Sequence, residues 1–123
     1  MVGHKDSGLS IPASAVYNKA GIVMVSPTSS NPQLTAQGFD TVFRVCPVDT
    51  TQGPFLADFL INKLGKKKIA VIYADTAYGM GLHEQFVKRA GELGVSPVTE
   101  QQIHRGDRDF SAALQVVAPL APE

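Results

Sequence analysis

Ile69-Ala70-Val71-Ile72-Tyr73 is an almost wholly apolar, β-branched run that leads within a few residues into helical periodicity. No other stretch limits the fold of this chain as tightly. Such a run is the pattern of a strand buried on both faces of a parallel sheet. Ala74 to Ala77 is small and polar, so the chain turns there. From Tyr78 onward, Leu82, Phe86, Ala90 and Leu93 fall on one helical face, and Gly94 stands where a left-handed residue ends the helix. Strand, loop and helix make half of a βαβ unit, whose ligands gather at the carboxyl ends of the strands. Asp75 to Gly81 is therefore the first place to look for function.

The rest of the chain repeats this alternation. Val2-Gly3-His4 reads as the end of a strand, and Lys5 to Ser10 as a loop. A helix follows, with Ser10 as N-cap, Pro12 in its first turn, Ile11, Ala15 and Val16 on its apolar face and Gly21 at its end. Ile22 to Val25 reads as a buried strand and Ser26 to Pro32 as a hydroxyl-rich loop. Thr41 to Val45 is a third strand. The next helix takes Thr50 or Thr51 as cap, a stripe of Phe55, Leu56, Phe59, Leu60 and Leu64, and Gly65 as its stop. After the central strand and helix, Val98 to Ile103 alternates like a strand nearer the sheet edge. Gly106 to Asp109 offers an acidic cap to a last helix bearing Phe110, Ala113, Leu114 and Val117. The order predicts an α/β chain, three-layer α/β/α with a mostly parallel sheet.

With 123 residues and a formal charge of zero, the chain is of single-domain size and carries no basic patch for nucleic acid. No apolar run approaches a bilayer span, Met1 leads directly into polar residues without a signal-peptide pattern, and Cys46 is alone. Gly79-Met80-Gly81 lacks the third glycine of a dinucleotide fingerprint, and there is no phosphate loop. His4, His83 and His104 have no metal-ligand spacing, and no serine sits in a nucleophile elbow. No metal and no cofactor is expected. Asp75 could act as an acid, yet a carboxylate beside a βα turn is commoner as a turn residue. Three loops, at Ser7-Gly8, Thr28-Ser29-Ser30 and Asp75 to Tyr78, each follow a strand and carry small hydroxyl or aromatic residues. Two precede helix N-termini, where free N–H groups favour an anion such as a carboxylate.

Further residues carry a resemblance. Gly3-His4 with Ser7-Gly8, Ile11-Pro12-Ala13-Ser14, Ala20-Gly21-Ile22, and Ser26-Pro27 with Asn31 to Thr35 resemble the periplasmic branched-chain amino-acid binding proteins. So do Val42-Phe43-Arg44, Asp49 to Pro54, Tyr78-Gly79 with Gly81-Leu82, and Gly106 to Ala112. These are two-lobed, type I substrate-binding components of ABC importers, and the resemblance implies a truncated type I fold. Residues 1–46 would be the later half of the first lobe, and 47–123 the first half of the second. By resemblance, Ser7 holds the ligand carboxylate through its hydroxyl and N–H. Ser30 stands where many members have a threonine with the same task. The Thr28 carbonyl takes the ligand ammonium, and Tyr78 packs over the ligand on closure. Family members often have a cysteine at the position of Asp6; the acidic partner of the ammonium would lie beyond Glu123.

The resemblance thus implies a non-enzymatic segment that binds a branched-chain or related amino acid or amide. Its partner would be an ABC importer membrane permease, and its setting the periplasm or a cell-surface lipoprotein. A ligand-sensing regulatory domain of the same fold, and a small flavodoxin-like or response-regulator-like α/β protein using Asp75, are the alternatives. The apolar strands also predict a homo-oligomer, because exposed strand edges recruit other chains.

Overall fold

The computed structural model describes residues 1–123. Its elements run α1 (Ser7–Lys19), β1 (Met24–Ser26), α2 (Gln33–Ala36), β2 (Val42–Arg44), α3 (Asp49–Asp58), β3 (Ala70–Ala74), α4 (Ala77–Glu92), β4 (Thr99–Ile103) and α5 (Ser111–Val117). All strand pairing is parallel. β1 pairs with β2 from Met24 opposite Val42 to Ser26 opposite Arg44, and Val2 bridges the other edge of β1 at Val25. β3 pairs with β4 from Ala70 opposite Thr99 to Ala74 opposite Ile103. The alternation expected from the sequence is present, with one added helical turn, α2.

α1 starts earlier than expected. Asp6 is the cap in place of Ser10: its backbone is extended and its Oδ1 accepts from the Gly8 N–H at 2.8 Å. A carboxylate there satisfies one of the free N–H groups of the first turn. The buried face is also different. Ser7, Ser10 and Ser14 are buried, Ala15 and Val16 are exposed, and Ile11 is half-buried. The serines can be buried because their hydroxyls are used. Ser10 Oγ lies 2.6 Å from Ser29 Oγ, both reach the His4 carbonyl, and Ser14 Oγ donates to Ile11 and accepts from Gln37 Nε2. Gly21, at φ 67°, closes the helix as expected.

α3 departs in the same way. It begins at Asp49 after an extended Val48, and neither Thr50 nor Thr51 caps it. The residues turned to α4 are Gly53 and Ala57, and a methyl added at Gly53 would lie 2.7 Å from Gln85 Cβ. Close helix approach at these small residues turns the expected stripe outward: Phe55 is 71% exposed, and Leu56, Phe59 and Leu64 are exposed too. A π-helical turn, Phe59–Lys63, continues the helix to Gly65.

The strands are covered on fewer faces than their composition suggests. In β1 Met24 and Ser26 are buried, while Ile22 and Val23 ahead of it are exposed; in β3 Ile72 is exposed, although Ile69 just ahead of the strand is buried. An apolar groove of about 370 Å³ stays open between β3, α3 and α4, walled by Leu56, Leu60, Val71, Leu82 and Phe86. The N-cap of α5 is Phe110, not an acidic residue, and Asp109 just ahead of it accepts from the Ser111 N–H through Oδ1; Ala113 is buried and Leu114 is exposed.

Two separate apolar clusters result. Met24, Leu34 and Val42, with Ile11, Tyr17 and Phe39 against them, form one; Ala57, Ile69, Phe86, Ala90 and Val95 form the other.

Candidate functional site

The segments that follow β1, β2 and β4 converge with the starts of α1 and α4 on one cleft of about 610 Å³. Lys5, Asp6 and Ser7 line it from the start of α1, Pro27, Thr28 and Ser30 from the loop after β1, and Cys46 and Pro47 from the segment after β2. Tyr78 enters from the first turn of α4 and Arg105 from the loop after β4. Carboxyl ends of parallel strands are where α/β folds place their ligands. All four residues singled out in the sequence, Ser7, Thr28, Ser30 and Tyr78, are on this wall.

Ser7 and Ser30 form the floor. Ser7 is fully buried and its Oγ accepts from the Asn31 N–H at 3.3 Å; its own N–H, at the start of the 13-residue α1, has no partner in the chain. Ser30 is 1% exposed and its hydroxyl has no hydrogen-bond partner. Thr28 Oγ1 donates to the Lys5 carbonyl at 2.7 Å, which ties the two loops together, while the Thr28 carbonyl stays free. Tyr78 is exposed at the mouth. Its helix is capped by Thr76, whose Oγ1 accepts from the Gly79 N–H at 3.0 Å. A side chain at Gly79 would run into the Ala74 carbonyl, so the turn from β3 into α4 can be this tight only with glycine there.

The floor thus combines a free helix N-terminal N–H, a free hydroxyl and a free carbonyl. This set can hold an anionic group and a cationic group side by side. At the rim, Arg105 Nη1 pairs with Asp6 Oδ2 at 2.8 Å, so the α1 cap also contacts the loop after β4. Asp75 does not face the cleft. Its carboxylate holds His104 Nδ1 at 2.7 Å and the Arg105 N–H at 3.0 Å, bracing the ends of β3 and β4. These bonds hold Asp75 below the usual carboxylate range, and the same carboxylate holds the His104 imidazole up. The other histidines have separate partners, His83 with Glu100 at 2.6 Å and His4 with Tyr17 Oη at 3.2 Å.

Sequence reasoning missed Asp49, Asn31, Arg44 and Arg105. Asp49 is fully buried beneath Ser30 with both carboxylate oxygens unpartnered, and burial pushes its carboxyl up against the opposing Ser30 hydroxyl and Arg44. Arg44 Nη1 donates to the carbonyl of Asn31 at 2.7 Å and that of Ser29 at 3.3 Å, fixing the loop that carries Ser30. The signal for Asp49 lay in its place, a carboxylate opening a helix a short loop after a strand.

Residues 1–119 match the family model described as "Receptor family ligand binding region". An "Amino acid binding protein" of Pseudomonas aeruginosa is 42% identical over 123 residues, all of this chain and 33% of its own length. "Leu/Ile/Val-binding protein homolog 1" of Brucella abortus is 40% identical over 114 residues, 93% of this chain and 31% of its own. Among crystal structures, a leucine binding protein from Thermotoga maritima superposes with a TM-score of 0.86 at 33% identity, over 98% of this chain and 34% of its own. A branched-chain amino acid transporter substrate binding protein from Streptococcus pneumoniae, in complex with isoleucine, gives a TM-score of 0.83 at 31% identity, over 95% of this chain and 33% of its own. The chain therefore spans about a third of the length of these relatives.

Proposed function

The chain belongs to the receptor family ligand binding region, and from that premise we propose that it is part of the amino-acid-binding component of an ABC importer. Its fold is the parallel α/β architecture of type I periplasmic binding proteins. The observation that carries the reading is the cleft floor. Ser7 N–H and Ser30 Oγ stand free for a carboxylate, and the Thr28 carbonyl stands free for an ammonium. Tyr78 at the mouth is the residue that packs over the bound ligand. The ligand is a branched-chain or related amino acid, consistent with the names of the relatives. The reading is non-enzymatic, in keeping with relatives named as binding proteins.

The two apolar clusters support a lobe division at 46/47, since one cluster draws on residues 11–42 and the other on 57–95. Docking to a membrane permease, in the periplasm or from a lipid-anchored position, completes the proposal. Nuclear magnetic resonance of the labelled chain, titrated with L-leucine, L-isoleucine and L-valine, tests it. Amide shifts confined to Ser7, Thr28, Ser30 and Tyr78 are expected, with weak affinity because binding shows only the surplus left after ordering costs. Shifts elsewhere, or none, would reject the site.

A further inference from the structure

Asp49 and Ser30 meet beneath the cleft floor. The Asp49 N–H donates to the Ser30 carbonyl at 2.9 Å, and the Ser30 hydroxyl lies near enough to the Asp49 carboxylate to favour its charge. Neither side chain has a hydrogen-bond partner, so the two face each other unsatisfied. α4 closes the far side: a methyl at Gly81 would lie 2.6 Å from Asp49 Oδ2. Asn31 Nδ2 would lie 2.8 Å from the same methyl, but it already donates to the Ala77 carbonyl. The one charge acting on Asp49 is the Arg44 guanidinium from β2; the loop presents Ser30 and Asn31, and α4 presents Gly81.

We propose that Asp49 is a positioning residue for Ser30, its proton deciding whether the Ser30 hydroxyl offers a ligand carboxylate a donor or only lone pairs. The inference rests on the reading of the cleft as an amino-acid site. A hydroxyl has one proton to give and two lone pairs to offer. A buried, ionised Asp49 needs a donor, and leaving it bare is costly, so the Ser30 proton turns inward and its lone pairs face the cleft. A protonated Asp49 donates to Ser30 Oγ instead. The Ser30 proton is then free to turn toward a bound carboxylate. Proton binding at Asp49 and carboxylate binding at the floor favour each other, and the coupling is reciprocal. Burial places this exchange at milder acidity than an exposed aspartate would show.

The test uses the whole chain with two readouts. Without ligand, the side-chain carbon resonance of Asp49 is followed through a pH titration in the wild type and in Ser30→Ala. The midpoint is expected to rise in Ser30→Ala, which lacks the hydroxyl that favours the charge; an unchanged midpoint would overturn the proposal. With L-leucine as probe, wild-type affinity should fall several-fold as pH rises through the Asp49 midpoint found in that titration. Asp49→Asn and Asp49→Ala, which cannot titrate, should lose that slope. A flat wild-type profile, or a slope that survives in both variants, would also overturn it. If leucine shifts no resonance in any variant, the amino-acid reading falls and the ligand-free titration alone decides the Asp49–Ser30 coupling.

Discussion

Asn31 Nδ2 donates to the carbonyl of Ala77 at 2.7 Å, joining the loop after β1 to the first residue of α4. The same side chain turns its Oδ1 to the Gln33 N–H at 2.9 Å and so starts α2. One amide therefore fixes both the loop that carries Ser30 and the approach of the helix that carries Tyr78. Asp6 does comparable work on the other side of the cleft, capping α1 and pairing with Arg105. Asp6 is thus a carboxylate with two partners.

Gly81→Ala should destabilise the chain by about 1–3 kcal/mol, the usual cost of forcing a methyl into a packed site. The methyl would meet Asp49 Oδ2 at 2.6 Å and Asn31 Nδ2 at 2.8 Å. Gly91→Ala, on the same helix with nothing within 4 Å, should stabilise by about 0.5–1 kcal/mol. Urea unfolding of the two variants checks the contrast; equal effects would refute the packing at Gly81.

Asp49→Asn should raise stability at neutral pH, because the amide stays neutral where the buried carboxylate must carry a charge. The Asp49 carboxyl is raised in the folded state, so the wild type loses stability as pH climbs from the unfolded value of 3.8 through the raised one. Below that window both forms are neutral and the advantage should vanish. Thermal melts across the acid range measure it, and an advantage that persists in strong acid would contradict the sign.

Ser7→Ala should weaken amino-acid binding by about 1.5–3 kcal/mol, the range for a hydrogen bond to a charged group, because the Ser7 hydroxyl accepts from the Asn31 N–H and keeps its own proton for the ligand carboxylate. Tyr78→Ala should also reduce affinity, by removing packing over the ligand. Comparing both with wild type by titration calorimetry of a protein that includes this chain within the relatives' full length is the check. Unchanged affinity in both would remove these residues from the site.

Arg105→Gln should cost about 0.2–1 kcal/mol, because Arg105 is 64% exposed and its pair with Asp6 is partly screened by water. The loss should shrink as salt is added. Denaturation of Asp6→Asn, Arg105→Gln and the double variant at low and high salt isolates the coupling; a coupling insensitive to salt would point to packing instead.

The chain should self-associate at micromolar concentration. Phe55, Leu56 and Phe59 are exposed on α3, and the groove beside β3 is apolar and open. Burying such patches releases roughly 25 cal/mol per Å². Sedimentation velocity reports the mass, and a monomer at all concentrations would count against it.

Much of this architecture was legible because single residues announce it. The apolar run ending at Tyr73, with Gly94 closing the next helix, placed β3 and α4 within a residue or two. The cleft was legible through hydroxyls that follow strands. α2 was not, because one turn of four residues shows no period. The face of α1 was misread for a physical reason: burial follows partners, and Ser7, Ser10 and Ser14 recur at helical spacing with partners that only the fold supplies. On α3, Gly53 and Ala57 gave no hydrophobic signal, yet only residues that small let α4 approach so closely.

The two apolar clusters share no residue, and the named contacts joining the segments that hold them are polar ones: Asn31 to Ala77, Asp6 to Arg105, Asp49 beneath Ser30. Parting such a seam trades protein hydrogen bonds for water and uncovers little hydrocarbon. Heat capacity follows hydrocarbon exposure, so a hinge motion along the seam would have almost no heat-capacity signature, while melting either cluster would have a large one. Calorimetrically, the cleft can open quietly.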